Sequence, residues 1–121
     1  MRRMVSGETR DPMTELRRGV LEYCVLAVME RKESYAFEIV RVLSSAGGLV
    51  TSEGTIYPLL SRLRRDGLVT TTWRESEAGP PRRYYRLTAE GERVLDAFVG
   101  DWTRFRDAVN DLFAGITNGG H

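Results

Sequence analysis

A mainly α-helical fold with one small β-hairpin is predicted for this chain by three observations. Residues 52–88 run as a helix with an apolar stripe, a strand rich in valine and threonine, a glycine-proline turn and a second strand. Two apolar-periodic segments precede that run, and a long segment with large apolar residues at alternating steps of three and four follows it. That order is a winged helix-turn-helix with an added C-terminal helix. The expected organisation is a flexible N-terminal arm at 1–10, a winged-helix unit at 11–88, a dimerisation helix at 89–117 and a tail at 118–121.

The arm is polar and basic, without periodicity. Asp11-Pro12 makes a helix start, because proline at the first helical position gives up an N–H that has no partner there anyway. Leu16, Val20, Tyr23 and Ala27 are expected to leave this first helix largely buried. Ser34 is expected to cap a second helix from Tyr35 to about Ala46, stopped by Gly47-Gly48.

The third helix starts at Ser52, an N-cap type, with Glu53 at the positive end of the helix dipole. Ile56, Leu59, Leu60 and Leu63 fall at i, i+3, i+4 and i+7, so one face is core. Gly54, Pro58, Ser61, Arg62 and Arg65 lie on the other side, flanked by Thr55 and Tyr57. Small groups let the backbone sit deep in a groove, and arginine reaches phosphates or the O6 and N7 edge of guanine. Ser52, Thr55, Tyr57, Pro58, Ser61, Arg62 and Arg65 are therefore expected to face duplex DNA. A solvated face with ordinary surface arginines is the plainer reading of the same pattern. Pro58 inside the pattern costs roughly 3 kcal/mol in an ordinary helix interior, so the context must tolerate it. Asp66-Gly67 ends the helix, since glycine takes the left-handed conformation without strain.

Strands are expected over Leu68–Arg74 and Arg83–Thr88, with the intervening Glu75, Glu77, Gly79, Pro80 and Pro81 forming an exposed wing tip. Arg82 and Arg83 at the root of the second strand are placed to meet phosphates or a minor groove; alternatively they balance Glu75 and Glu77 across the hairpin. Trp73 and one of Tyr84 and Tyr85 are expected to pack under the wing, because alternation sends adjacent tyrosines to opposite faces.

The runs EGTIYPLLSRLRRDGLV and GPPRRYYRLTAEG, with RRGVLEYCVLAVM and YAFEIV upstream, resemble the PadR family of bacterial transcriptional regulators over most of the chain from about Leu16 to Trp102. The resemblance implies a dimeric winged-helix repressor, in some relatives responsive to phenolic acids or flat aromatic drugs. The chain departs from the family at Tyr35-Ala36-Phe37-Glu38-Ile39, where His-Gly-Tyr-Glu-Ile is usual, so the common tyrosine hydroxyl is missing at Phe37. Either Tyr35 replaces it or Phe37 is core. Arg64 stands where relatives often carry glutamate.

The formal net charge of the 121 residues is only +1. The charges are uneven, however: residues 52–88 carry seven arginines against four acids, and residues 89–121 three against six. Binding responds to the local field, so the small total does not exclude DNA. No apolar run suits a bilayer span, and the basic start lacks the hydrophobic stretch of a signal peptide, so a cytoplasmic protein without a membrane partner is expected. Cys24, the single cysteine, cannot form an internal disulfide. It reads as a small buried hydrophobe or as a redox sensor.

In the last segment Leu95, Phe98, Trp102, Phe105, Val109, Leu112 and Ile116 form a heptad seam, with Thr88 as cap. A small domain has little surface to cover so many large side chains, and a second copy is the expected cover; folding back on its own domain is the alternative. Two copies related by a two-fold axis read a near-palindromic DNA site. The resemblance places Trp102, with Phe98, where some relatives stack a planar aromatic effector at the dimer interface; plain packing explains Trp102 equally.

No enzyme and no cofactor are expected. The one histidine is the terminal His121, which leaves no histidine triad or cluster, and no phosphate-binding glycine loop occurs. The rival reading is a winged-helix protein-interaction module that does not touch DNA.

Overall fold

The computed structural model describes residues 11–47, 49 and 52–116. The expected arm at 1–10 and tail at 118–121 lie outside the described residues. Helix α1 (Pro12–Arg31) begins where expected, with the Asp11 carboxylate accepting from the Met13 N–H at 3.0 Å. A two-residue strand β1 (Ser34–Tyr35) leads into helix α2 (Ala36–Ser45), followed by α3 (Glu53–Arg65), strands β2 (Val69–Ser76) and β3 (Gly79–Leu87), and helix α4 (Ala89–Ala114).

The core is built where the periodicity put it. Ile56, Leu60 and Leu63 of α3 are fully buried and Leu59 nearly so, against Val25, Leu26 and Met29 of α1 and Ile39 and Leu43 of α2. Burial of an aliphatic side chain is worth about 2 kcal/mol. Four such residues on one helix outweigh the roughly 3 kcal/mol cost of an interior proline, and α3 runs through an exposed Pro58. The helix closes in a Schellman turn. Leu68 N–H donates to Leu63 C=O at 3.0 Å and Gly67 N–H to Arg64 C=O at 3.1 Å, with Gly67 at φ +79° and Leu63 and Leu68 both buried.

The sheet has three antiparallel strands in the order β1-β3-β2, not two. Ser34 pairs with Tyr85 and Tyr35 with Tyr84. Ser34 is therefore not the cap of α2: it is buried in the sheet, its hydroxyl donating to Lys32 C=O at 3.1 Å. Tyr35 holds the cap position, its N–H donating to Glu38 Oε1 at 3.2 Å. The wing strands also run further than expected, leaving only Glu77-Ala78 as the turn. Pro80 and Pro81 fit because β1 reaches only Tyr84 and Tyr85, so the tip of β3 is an edge on that side, and a register shift lies opposite.

Tyr85 is buried and Tyr84 half-buried, as alternation requires. Trp73 does not pack under the wing; it is 61% exposed, because that part of the hairpin overhangs the helices. Phe37 is exposed, which removes the core alternative for it. The first helix is less buried than expected. Leu16 and Ala27 are exposed and Val20 and Tyr23 half-buried, since one small domain covers only the face of α1 that carries Val25, Leu26 and Met29.

Helix α4 is set by Thr88. Its hydroxyl accepts from Gly91 N–H at 3.0 Å and donates to Gly67 C=O at 2.7 Å, tying the start of α4 to the end of α3. Gly91 lies against the Leu68 carbonyl, where a Cβ would stand 2.1 Å from that oxygen. Among the described residues no helix is long and apolar enough to cross a membrane.

Candidate nucleic-acid interface

The outward face of α3 is assembled as the helical period dictates. Ser52, Thr55, Tyr57, Pro58, Ser61, Arg62 and Arg65 are all exposed, opposite the buried stripe. Ser52 has the extended backbone of an N-cap, but its hydroxyl meets the Thr55 hydroxyl at 3.3 Å instead of capping a backbone N–H. Partial burial, with smaller contributions from Glu53 and Tyr85, pushes the Tyr57 phenol above its ordinary value. Like any phenol below its ordinary value of about 10, it is a hydrogen-bond donor at neutral pH.

The arginines of this helix are not equivalent. Arg62 Nη2 donates to Glu22 Oε1 of α1 at 2.6 Å. Among the described residues no carboxylate pairs with Arg64 or Arg65, and both cations sit in the last turn, where the helix dipole favours positive charge.

On the wing, strand alternation separates two residues that the sequence set side by side. Arg82 shares a sheet face with its register partner Arg74 and with Tyr84 and Tyr35; Arg83 shares the other with Trp73 and Tyr85. Each guanidinium rests on an aromatic ring. Arg82 lies 4.4 Å from the Tyr35 centroid, Arg74 4.2 Å from Tyr84 and Arg83 5.0 Å from Trp73. Arg83 is half-buried, and its Nε is enclosed without a hydrogen-bond partner among the described residues. Neither Arg82 nor Arg83 pairs with Glu75 or Glu77 among the described residues, so the ion-pair alternative gives way to stacking. Arg74 and Arg86 instead converge on Glu33, with Arg86 Nε 3.9 Å from Glu33 Oε2.

The sequence reading missed Glu22, Glu33 and Arg74 as members of this surface, and raised Tyr35 only as a replacement for the hydroxyl missing at Phe37, not as the ring on which Arg82 rests. The alternation of Arg82 and Tyr84 carries a signal for the stacked face, but nothing local announces β1, which brings Tyr35 beneath Arg82.

The proposed seam of α4 divides in two. Leu95 is only 6% exposed and belongs to the protomer's own core. Phe98 stacks on Tyr23 of α1, and Trp102 and Phe105 continue the row with centroid spacings of 6.3 and 6.1 Å. Beyond them Val109 is half-buried, whereas Leu112, Phe113 and Ile116 are exposed, Leu112 by 76%. The fold-back alternative thus holds for the first turns of the helix, while Leu112 and Ile116 at its far end stay exposed.

Residues 25–97 match the family described as Transcriptional regulator PadR-like family. The chain is 32% identical over 107 residues to Transcriptional regulator Rv3488 of Mycobacterium tuberculosis, an alignment covering 88% of this chain and 92% of that protein. The structure is similar to the crystal structure of a PadR-like transcriptional regulator from Bacillus cereus, with a TM-score of 0.76, 36% identity, and coverage of 82% and 96%. Bacillus subtilis PadR in complex with operator DNA matches at a TM-score of 0.60 and 23% identity, covering 66% of this chain and 46% of that one, a likeness of fold.

Proposed function

Because the chain belongs to the PadR-like family of transcriptional regulators, we propose that it is a cytoplasmic homodimeric repressor that binds near-palindromic double-stranded DNA. The observation that carries this reading is the outward face of α3. Apart from Tyr57, its exposed residues are small or polar or charged, from Thr55 and Pro58 through Ser61 to Arg65, while every large aliphatic of the helix is buried. Such a helix enters a major groove without presenting aliphatic bulk to it, and Tyr57 on the flank offers a hydroxyl. Arg82 and Arg83 serve as phosphate or minor-groove contacts from the wing. Ser52, Tyr57 and Arg62 complete the protein's side of the contact.

Two copies join through the far end of α4, with Phe105, Val109, Leu112 and Ile116 in the seam and Phe98 and Trp102 at its root. Exposure of Leu112 and Ile116 on one helix supports this arrangement. The dimer then presents two α3 helices about 10 base pairs apart, or a multiple of that spacing. A planar aromatic effector stacks in the Phe98–Trp102 row and weakens DNA binding by changing the separation of the reading helices. The Phe98 and Trp102 rings, with centroids 6.3 Å apart and planes 20° from parallel, support this role.

Selection of bound fragments from random duplex DNA is the test. A palindrome with that spacing is expected, and Arg65→Glu and Arg82→Glu should each abolish recovery while the dimer persists. A failure to enrich any sequence, or unaltered enrichment by both variants, would sink the reading. Effector binding is read as tryptophan quenching in a Trp73→Phe background, because Trp73 is itself exposed. Equal quenching after Trp102→Ala counts against the site.

A further inference from the structure

We infer that Glu22 of α1 is an internal counter-ion for Arg62, competing with DNA phosphate for that guanidinium and so restraining sequence-independent affinity. The inference rests on the DNA-binding reading above and goes beyond it, since it gives an acidic residue outside the reading helix a part in specificity.

Arg62 lies roughly 120° around α3 from the buried stripe, on the flank that turns toward α1, whereas Arg65 points almost directly away from the core. Across that flank Glu22 Oε1 accepts from Arg62 Nη2 at 2.6 Å, joining residues 40 apart in the chain. The carboxylate is the better anchored partner: the Glu22 side chain is 27% exposed against 46% for Arg62. It stands on a helix whose adjacent Leu21 and Tyr23 pack against the core. Arg64 and Arg65, on the same helix, meet no carboxylate among the described residues. The pairing is thus selective for one of three neighbouring cations.

A carboxylate and a phosphate oxygen present the same acceptor geometry to the planar fork of arginine. While Glu22 holds one Nη, a phosphate approaching Arg62 meets a guanidinium whose charge is already matched and a carboxylate that repels it. The Arg62–Glu22 pair brings no net positive charge to the DNA surface. It therefore adds little to the release of DNA counter-ions that drives binding to any sequence. Contacts to bases through the remaining N–H groups are not penalised in the same way. Glu22 accordingly lowers the non-specific background more than it lowers specific affinity.

The test is equilibrium binding of the 121-residue chain to a mixed-sequence duplex over a range of salt concentrations. Glu22→Gln keeps the shape and removes the charge. It is expected to tighten binding several-fold at low salt and to steepen the log–log salt slope by about one, and Glu22→Ala should act in the same direction. Placed in an Arg62→Gln background, Glu22→Gln should leave the slope unchanged, whereas in an Arg65→Gln background it should keep its full effect. An unchanged slope in both Glu22 variants, or an equal gain with and without Arg62, overturns the inference, because the latter outcome reports only the loss of a distant negative charge. If the parent chain binds no duplex at any salt concentration, the DNA-binding reading itself falls. If the parent binds and the Glu22 variants are indistinguishable from it, the inference alone falls.

Discussion

The Tyr23 ring of α1 lies flat on the Phe98 ring of α4, with centroids 3.9 Å apart and planes 4° from parallel. This contact, with Leu95 in the core and Gly91 against Leu68, fixes where α4 leaves the domain. Phe98→Ala removes a half-buried ring and its stacking partner. Stability should fall by about 2 kcal/mol, below the range for a fully buried phenylalanine. Urea unfolding at a fixed protein concentration measures it, and a change within error would show that the stack does not hold α4.

Two glycines should respond to alanine in different degrees. At Gly91 a new Cβ meets the Leu68 carbonyl oxygen at 2.1 Å, a backbone atom that cannot swing aside as the end of a side chain can. The expected cost is about 3 kcal/mol. At Gly67 the space is open and only the φ of +79° opposes a side chain, so the cost should be about 1 kcal/mol. Denaturation midpoints that rank the two in the reverse order would contradict this account of the α3–α4 junction.

Leu112→Asp places a charge on the most exposed of the large apolar residues of α4. The protomer contains no cover for that position among the described residues, so its own fold should be untouched. Sedimentation should show a shift from dimer to monomer at micromolar concentration with the circular dichroism spectrum preserved. A dimer that survives the substitution would place the interface elsewhere.

Arg82 rests on the Tyr35 ring rather than on a carboxylate. Stacking of this kind is worth about 0.5–1 kcal/mol at exposed sites. Tyr35→Phe should therefore leave DNA affinity intact, and Tyr35→Leu should weaken it about three-fold by freeing the guanidinium. Equal affinity in both variants would mean that the ring does not organise the wing.

Burial pushes the Cys24 thiol above its ordinary value. The thiolate is the reactive form, so at pH 7 to 8 the native protein holds less of it than an unfolded chain does. Alkylation by iodoacetamide should be slower in the folded protein than in urea at each pH of that range, with the folded rate rising at higher pH than the unfolded one. Faster labelling of the folded state would favour the redox-sensor alternative over the buried hydrophobe.

The sequence by itself determined what depends on neighbours three or four residues away, or two residues away in a strand. The buried stripe Ile56, Leu59, Leu60 and Leu63, the stop at Gly67, the cap at Thr88 and the division between Tyr84 and Tyr85 are all of this kind, because backbone geometry alone sets those periods. The outward row from Thr55 to Arg65 follows from the same period, which is why the candidate surface of α3 was legible. Only the tertiary structure decided which groups meet across long separations. The pairing of Ser34 with Tyr85, the bond from Arg62 to Glu22, the rest of Arg82 on Tyr35 and the exposure of Trp73 all depend on how whole elements dock. Docking is driven by burial of apolar area, which is non-directional. A local pattern records that a face is apolar or charged, but not which distant face will come to lie against it.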